Sequence, residues 1–239
     1  MKKEILNIII LFFCISYVFS QSNNRNYVGL SIGPSFPNGD FVKTDLDDST
    51  SGWAKTGVAL SFSYAHRFTH NFGVIVMITY SGNNFNGLAY GDALMQSDTN
   101  YSVSVESVSN WTGGGILVGP YLRFPLGDNF SWDFRGLFGF YGANSPQLII
   151  RATDNRTDPP EKSEYYRQRS NAYSYAYSFG TGFKYRLSKY YILLFADYLK
   201  SPLKFDNASG WDWNDEPYKT KFTQEISYVS VTIGLSYFF

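Results

Sequence analysis

One pattern recurs along this chain and limits what it can become: apolar residues at every second position, opposed by small or polar ones. In YVSVTIGLSYFF (228–239), Val229, Val231, Ile233, Leu235, Tyr237 and Phe239 make one set. Tyr228, Ser230, Thr232, Gly234, Ser236 and Phe238 make the other. A period of two puts the two sets on opposite faces of a strand. Val28, Leu30 and Ile32 alternate with Gly29, Ser31 and Gly33 in the same way, and Val58, Leu60, Phe62 and Tyr64 with Ala59, Ser61, Ser63 and Ala65. Phe72, Val74, Val76, Ile78 and Tyr80 form another apolar set, although Ile75 and Met77 blur the opposite face. Ile116, Val118, Leu122 and Phe124 face away from Tyr121 and Arg123. Phe130, Trp132, Phe134, Phe138 and Phe140 oppose Ser131, Asp133, Arg135 and Gly139. Tyr173, Tyr175, Tyr177, Phe179, Phe183 and Tyr185 oppose a set that includes Gly180, Gly182, Lys184 and Arg186. KYYILLFADYL (189–199) is apolar on both parities, and Asp197 assigns its odd positions to the polar side. The pattern predicts eight strands.

Composition agrees with β structure: 21 Phe, 20 Tyr, 5 Trp and 21 Gly favour pleated, half-buried strands over helices. The formal net charge of zero excludes a generally basic nucleic-acid binder. At the N-terminus, Lys2 and Lys3 precede an apolar stretch from Ile5 to Val18, and Val18 and Ser20 fit a cleavage site before Gln21. These parts predict a signal peptide over 1–20 and one domain over 21–239. Cys14 is the single cysteine, so the mature chain has no disulfide framework.

The connections alternate in length. Short ones fall at 69–71, 125–129 and 188–189; long ones run over 35–53, 83–109, 144–170 and 200–224 and hold most of the Asp, Asn, Ser and Pro. Two closed architectures have eight strands. A soluble barrel would have to place some five bulky residues per strand inside, and eight strands cannot enclose so many rings. Its exterior would be Gly, Ser and Ala. Turned inside out, the pattern fits: the aromatic face meets lipid, small residues fill a narrow lumen, and closure leaves no unpaired edge. Short turns at one end and long loops at the other fit the same reading. The fold class is therefore all-β, an eight-stranded antiparallel up-and-down transmembrane β-barrel.

The chain resembles the small outer-membrane β-barrel families of Gram-negative bacteria, porin-like barrels included. GPYLRFPLGDNFSWDFRGLFGFYG (119–142) looks like their central hairpin, and YVSVTIGLSYFF like the terminal strand signal read by the barrel-assembly machinery. Leu235, Tyr237 and Phe239 match that signal. The resemblance implies the outer membrane as location, its lipid as surroundings and the assembly machinery as a partner during biogenesis.

Candidate chemistry is sparse. His66 and His70, the two histidines, have i, i+4 spacing, but at a strand end and turn that spacing does not converge on a metal. Some eight-stranded barrels modify lipid A with a His and a Ser near the outer leaflet; here both histidines fall at the short-turn end, so an enzyme is not expected. Gly113–Gly115 and the GTG at 180–182 open no helix and do not cradle phosphate. Asn110, Asn155 and Asn207 head N-x-S/T triplets that mean little in a bacterial chain. No cofactor or metal is expected. Arg67, Arg123, Asp133, Arg135, Lys184, Arg186 and Asp197 fall on the inner face. They read as a plug of ion pairs, with Arg123 and Asp133 meeting, in preference to a charged pore lining. Trp211 and Trp213 in GWDWNDEP read equally as a loop contact for a sugar or protein and as membrane-interface anchors. The leading function is a non-enzymatic barrel whose long outer loops bind or shield. The alternatives are a small porin-like channel and a barrel subunit of an envelope secretion or assembly complex.

Overall fold

The structure, a computed structural model, describes residues 25–107 and 109–239; the signal peptide expected over 1–20, with Cys14, lies outside them. In chain order the elements are β1 (Asn26–Pro37), β2 (Ala54–Arg67), β3 (Phe72–Phe85), α1 (Gly87–Ser97), β4 (Tyr101–Ser107), β5 (Trp111–Pro125), β6 (Phe130–Asn144), β7 (Leu148–Asp154), β8 (Glu161–Arg167), β9 (Asn171–Leu187), β10 (Tyr190–Trp211) and β11 (Pro217–Phe238). Eight of the strands pair antiparallel in the order β1-β2-β3-β5-β6-β9-β10-β11, and β11 returns to β1. The closing register sets Leu30 opposite Leu235, and Leu235 opposite Ile192. No edge is left in the ring, so every strand of it has a neighbour on both sides.

The pleat sorts the residues. Leu30, Ile32, Phe62, Ile78, Ile116, Phe138, Phe140, Phe179, Ile233 and Leu235 are exposed, while Ala65, Leu117, Ala176, Ser178 and Ser131 are buried. A water-facing protein does not display such a belt of aromatics and branched aliphatics. A closed barrel in lipid requires it, because the hydrocarbon offers no hydrogen bonds to open strands. On β10 the outward positions run Tyr190, Ile192, Leu194, Ala196, Tyr198, about the nine to eleven residues a tilted strand needs to cross. The belt then stops. Lys200 and Glu225, on the outward face of β10 and β11, form a half-exposed ion pair at 2.7 Å, which marks the upper limit of lipid.

The long connections are not structureless. β10 and β11 continue as a paired hairpin past the belt, to Trp211 and Pro217. The polar pattern of 200–224 hides this: Leu203 and Phe205 keep facing inward while Lys204 and Asp206 alternate with them. β8 adds to β10 at Gly210↔Arg167 and Trp211↔Tyr166, and β7 and β4 follow outward. The result is a cap sheet above the mouth. One face of this cap carries Val103, Val105, Leu148, Ile150 and Ala152; the other carries Glu106, Arg151 and Glu164, joined by ion pairs at 2.9 and 3.2 Å. Helix α1 lies on the apolar face. A Cβ at Gly91 would sit 3.4 Å from Val105 Cγ2, an ordinary contact distance, so the helix packs directly on the strand. Asn86 caps the helix through Ala89 N and donates its own N–H to the Trp53 carbonyl at 2.7 Å, which ties the cap to the barrel rim.

At the short-turn end, Phe238 is 2 % exposed and stacks on Tyr27 and Tyr191 with centroids 5.0 and 4.2 Å away. Phe239 is 49 % exposed on the lipid side. Adjacent residues thus have separable effects. Phe238→Ala should lower stability to urea by about 3–5 kcal/mol with insertion retained. Phe239→Asp should leave the stability of the inserted fraction nearly unchanged and reduce how much inserts. Heat-modifiable gel mobility and urea titration of both variants measure the two effects.

Candidate functional site

Two regions can carry function, the lumen and the cap. In the lumen, β6, β9 and β10 place their inward residues in cross-strand rows. Arg135, Gly180 and Asp197 form one row, and Asp133, Gly182 and Phe195 the next. The middle residue of each row is glycine: Arg135 and Asp197 meet above Gly180, and the Phe195 ring lies over Gly182. Arg135 donates to Asp197 through Nε (2.7 Å to Oδ1) and Nη2 (2.5 Å to Oδ2), the bidentate geometry of a strong pair. Its guanidinium also lies 4.3 Å from the Phe195 ring centre. A Cβ at Gly180 would fall 1.9 Å from Asp197 Oδ1 and 3.1 Å from Arg135 Nε. The glycine is what leaves room for the pair.

Asp133 (0 % exposed) and Lys184 (1 %) form the second pair, Nζ to Oδ2 2.7 Å. The contact is charge against charge without an aligned hydrogen bond. The ammonium is held instead by ring faces, 3.9 Å from the Tyr27 centroid and 5.0 Å from that of Tyr121, a cation–π arrangement. This differs from the Arg123–Asp133 pairing expected from the sequence. Arg123 does stand opposite Asp133 in the register, but Lys184, inward on β9 two residues beyond the Gly182 that pairs with Asp133, is the cation that reaches it. Arg123 lies over Tyr191, 5.4 Å from its centroid, and Arg67 over Phe238 at 5.4 Å. Arg186 is not a lumen group. It is exposed at the rim, where its Nε donates to the Ser188 carbonyl at 3.1 Å; its inward parity falls past the end of the enclosed section.

Above the ion pairs the lumen stays filled. A hole of about 10 Å³ between Met77, Ser178, Asp197, Leu199 and Tyr228 holds roughly one water. Higher still, the 38–53 connection folds inward and sets Phe41 in the mouth, against Trp111 (5.7 Å), which packs on Phe205 (5.9 Å) and donates from Nε1 to the Gly52 carbonyl at 2.9 Å. Phe41, Trp53 and Trp111 are buried and form the stopper. Sequence reasoning missed all three. Each sits in or beside a polar connection, and an isolated bulky aromatic there was the available signal.

Trp211 and Trp213 sit at the tip of the β10–β11 hairpin, roughly 40 Å of strand beyond Tyr198 at about 3.3 Å per residue, and so away from the belt. Trp211 packs on Tyr166 (5.3 Å) and Trp213 on Tyr165 (5.5 Å); Tyr165 also stacks and hydrogen-bonds with Tyr218. Two hollows open here. One of about 350 Å³ lies between Leu94, Tyr101, Val103, Ala152 and Trp213. The other, about 210 Å³, lies over the stopper. At the opposite end of the barrel, His66 Nδ1 is 2.7 Å from Asn26 Oδ1, an amide contact at the short-turn rim. Among the described residues no cluster of three His, Cys, Asp or Glu is arranged for a metal.

A sealed ring, a lipid-facing belt and a structured cap on one end define the class: the protein is an eight-stranded integral β-barrel of the outer membrane. Its backbone course is similar to that of three solved structures: Ail, the attachment invasion locus protein of Yersinia pestis (12 % identity, 91 % of this chain and 100 % of that one, TM-score 0.44), neisserial surface protein A (10 %, 92 % and 100 %, 0.47) and a major outer membrane protein from Thermus thermophilus (10 %, 90 % and 99 %, 0.48). No protein-family model and no curated protein matches the chain.

The glycine-seated pair gives a direct expectation. Asp197→Ala strands the Arg135 charge and should cost about 3–5 kcal/mol in urea unfolding. Gly180→Ala should destabilise as well, since the added methyl displaces the carboxylate. Arg135→Met combined with Asp197→Leu should recover most of the Asp197→Ala loss. Equal stability of all three variants would show that the pair does not hold the lumen together.

Proposed function

We propose that this is a non-enzymatic barrel with a closed lumen, whose outer cap is its working surface toward an extracellular or envelope molecule. One observation carries this reading: side chains fill the lumen from the Tyr27–Phe238 stack through both ion pairs to the Phe41–Trp111 stopper, whereas the cap presents hollows to the outside. A passage would need a gap in every layer. Here each layer is closed by a different contact: ring stacking below, charge pairing in the middle, and a tryptophan hydrogen-bonded to Gly52 above. The cap is also built on paired strands rather than free loops, which suits a surface that must hold a shape. The lipid-side placement of Leu235, Tyr237 and Phe239 supports their reading as the signal for the barrel-assembly machinery.

Two measurements test this. The purified protein in planar bilayers should give no steady conductance, and Asp197→Ala should introduce a leak. Steady conductance of the wild type would replace this reading with that of a small channel. Protease added outside intact cells should cut in the exposed β7–β8 turn, residues 155–160, and spare 126–129, because short turns face the periplasm. Cutting at 126–129 alone would put the cap on the wrong side for the proposed role.

A further inference from the structure

The 210 Å³ cavity above the stopper is lined by one cation, Arg167, and by two carboxylates, Asp45 and Asp48, that stand with Lys43 rather than with Arg167. Its walls are Trp53, Tyr90, Tyr165 and Phe222, and its floor is Trp111 and Leu148. Asp45, Ser49 and Thr220 at its lip are exposed, so it opens to the outside. Arg167 projects into it from β8. Its guanidinium stands over the Phe222 ring at 5.6 Å, its Nε is buried without a hydrogen-bond partner, and among the described residues no carboxylate pairs with it. The fully buried charges of the lumen, by contrast, are paired. Arg167 is partly exposed, but its buried Nε has given up water with only a ring face in return, a cost that a bound anion removes.

Of the two carboxylates at the lip, one is offset: Lys43 holds Asp48 in a close ion pair and lies 3.8 Å from Asp45, and the remaining negative charge sits on the exposed lip. The size of the cavity restricts the ligand further. It is below the roughly 300–1,000 Å³ of sites for drug-sized molecules, which leaves room for one ring. The lining alternates aromatic faces with Ser49, Ser51, Thr220 and Gln224. Gln224 and Ser51 are already hydrogen-bonded to the backbone, so a purely apolar acid would desolvate Ser49 and Thr220, the exposed polar side chains of the lip, without pairing them. A sugar ring satisfies both kinds of wall, with its C–H face on an aromatic ring and its hydroxyls on the polar side chains.

We propose that this cavity binds one acidic sugar unit, a hexuronate-type ring, with its carboxylate on the Arg167 fork and its ring among Tyr90, Tyr165 and Phe222. This deepens the reading of the cap as the working surface and rests on it. The planar-bilayer measurement tests the closed lumen separately, so failure here leaves that result standing.

The experiment uses the full barrel in lipid nanodiscs, with saturation-transfer NMR and tryptophan fluorescence reporting binding, since Trp53 and Trp111 line the cavity. Glucuronate, its methyl ester, glucose, benzoate and inorganic sulfate are titrated in turn. Glucuronate should bind at least tenfold more tightly than each of the others. Arg167→Gln should reduce glucuronate binding to the level of glucose, with heat-modifiable mobility unchanged. The methyl ester removes the ligand's charge on wild-type protein, so the comparison survives even if the variant cap misfolds. Equal binding of glucuronate and its ester, or sulfate or benzoate matching glucuronate, overturns the proposal. So does full retention of binding in Arg167→Gln, or no binding of any probe.

Discussion

An eight-stranded ring encloses little space, and nearly every feature of this molecule follows from how that space is shared. Inward positions cannot all be large. Where one strand brings a bulky or charged side chain to the axis, its neighbour brings glycine. The Arg135–Asp197 pair lies across Gly180, and the Phe195 ring lies over Gly182, where a Cβ would come within 2.5 Å of it. The exterior has no such limit, so the rings that do not fit inside go out to lipid. The alternation of large and small that first suggests strands is therefore also a volume rule, and it selects lipid over water as the outer solvent.

The same shortage of space decides the electrostatics. Two carboxylates and two cations at the centre are almost fully buried, in a section with room for little water. Charges so placed are tolerated when each has a counter-charge and the geometry is good. Arg135–Asp197 meets the condition through two aligned hydrogen bonds. Lys184–Asp133 meets it differently, with ring faces replacing the missing hydrogen bonds. Arg67 and Arg123, nearer the short-turn end and only partly buried, lie on Phe238 and Tyr191. Aromatic faces thus take cations toward that end as well, where water is closer.

Much of this was legible in the sequence, and the parts that were not have specific causes. The ring was legible because lipid enforces period two almost throughout its outward face: Leu30, Phe62, Ile116 and Phe138 could be assigned by parity alone. The inward position of the buried charges could be read the same way. Partner choice could not. Arg123 and Lys184 are both inward neighbours of Asp133, and which one reaches it goes with the rings each is seated on, Tyr27 and Tyr121 for Lys184 and Tyr191 for Arg123, a property of several strands together. The cap was missed because water enforces nothing so strict. Tyr101, Val103 and Val105 alternate cleanly with serines, and Leu148, Ile150 and Ala152 with Ile149 and Arg151. Among polar turns, such short runs look like loop until something packs on them. The stopper was harder still, since Phe41, Trp53 and Trp111 come from separate segments and meet only once the barrel has closed.

The cap and the barrel are best regarded as one piece. β10 and β11 pass from lipid to water without interruption, and the cap sheet is an extension of β10 through β8. The N-terminus of α1 is fastened to the Trp53 carbonyl at the rim, and Trp111, one of the stoppers, opens β5. The cavity over the stopper is therefore walled by residues whose positions are set within the ring: Trp53 next to β2, Trp111 on β5, and Phe222 on β11. Each sits on or beside a strand anchored at its other end in the bilayer. A surface loop that binds a ligand must first be ordered, and that ordering weakens the binding. Here the ordering is supplied by barrel closure, before any ligand arrives. The same chain can therefore have a filled lumen and still hold a defined hollow above it, because the aromatics that block the mouth also form the floor of that hollow.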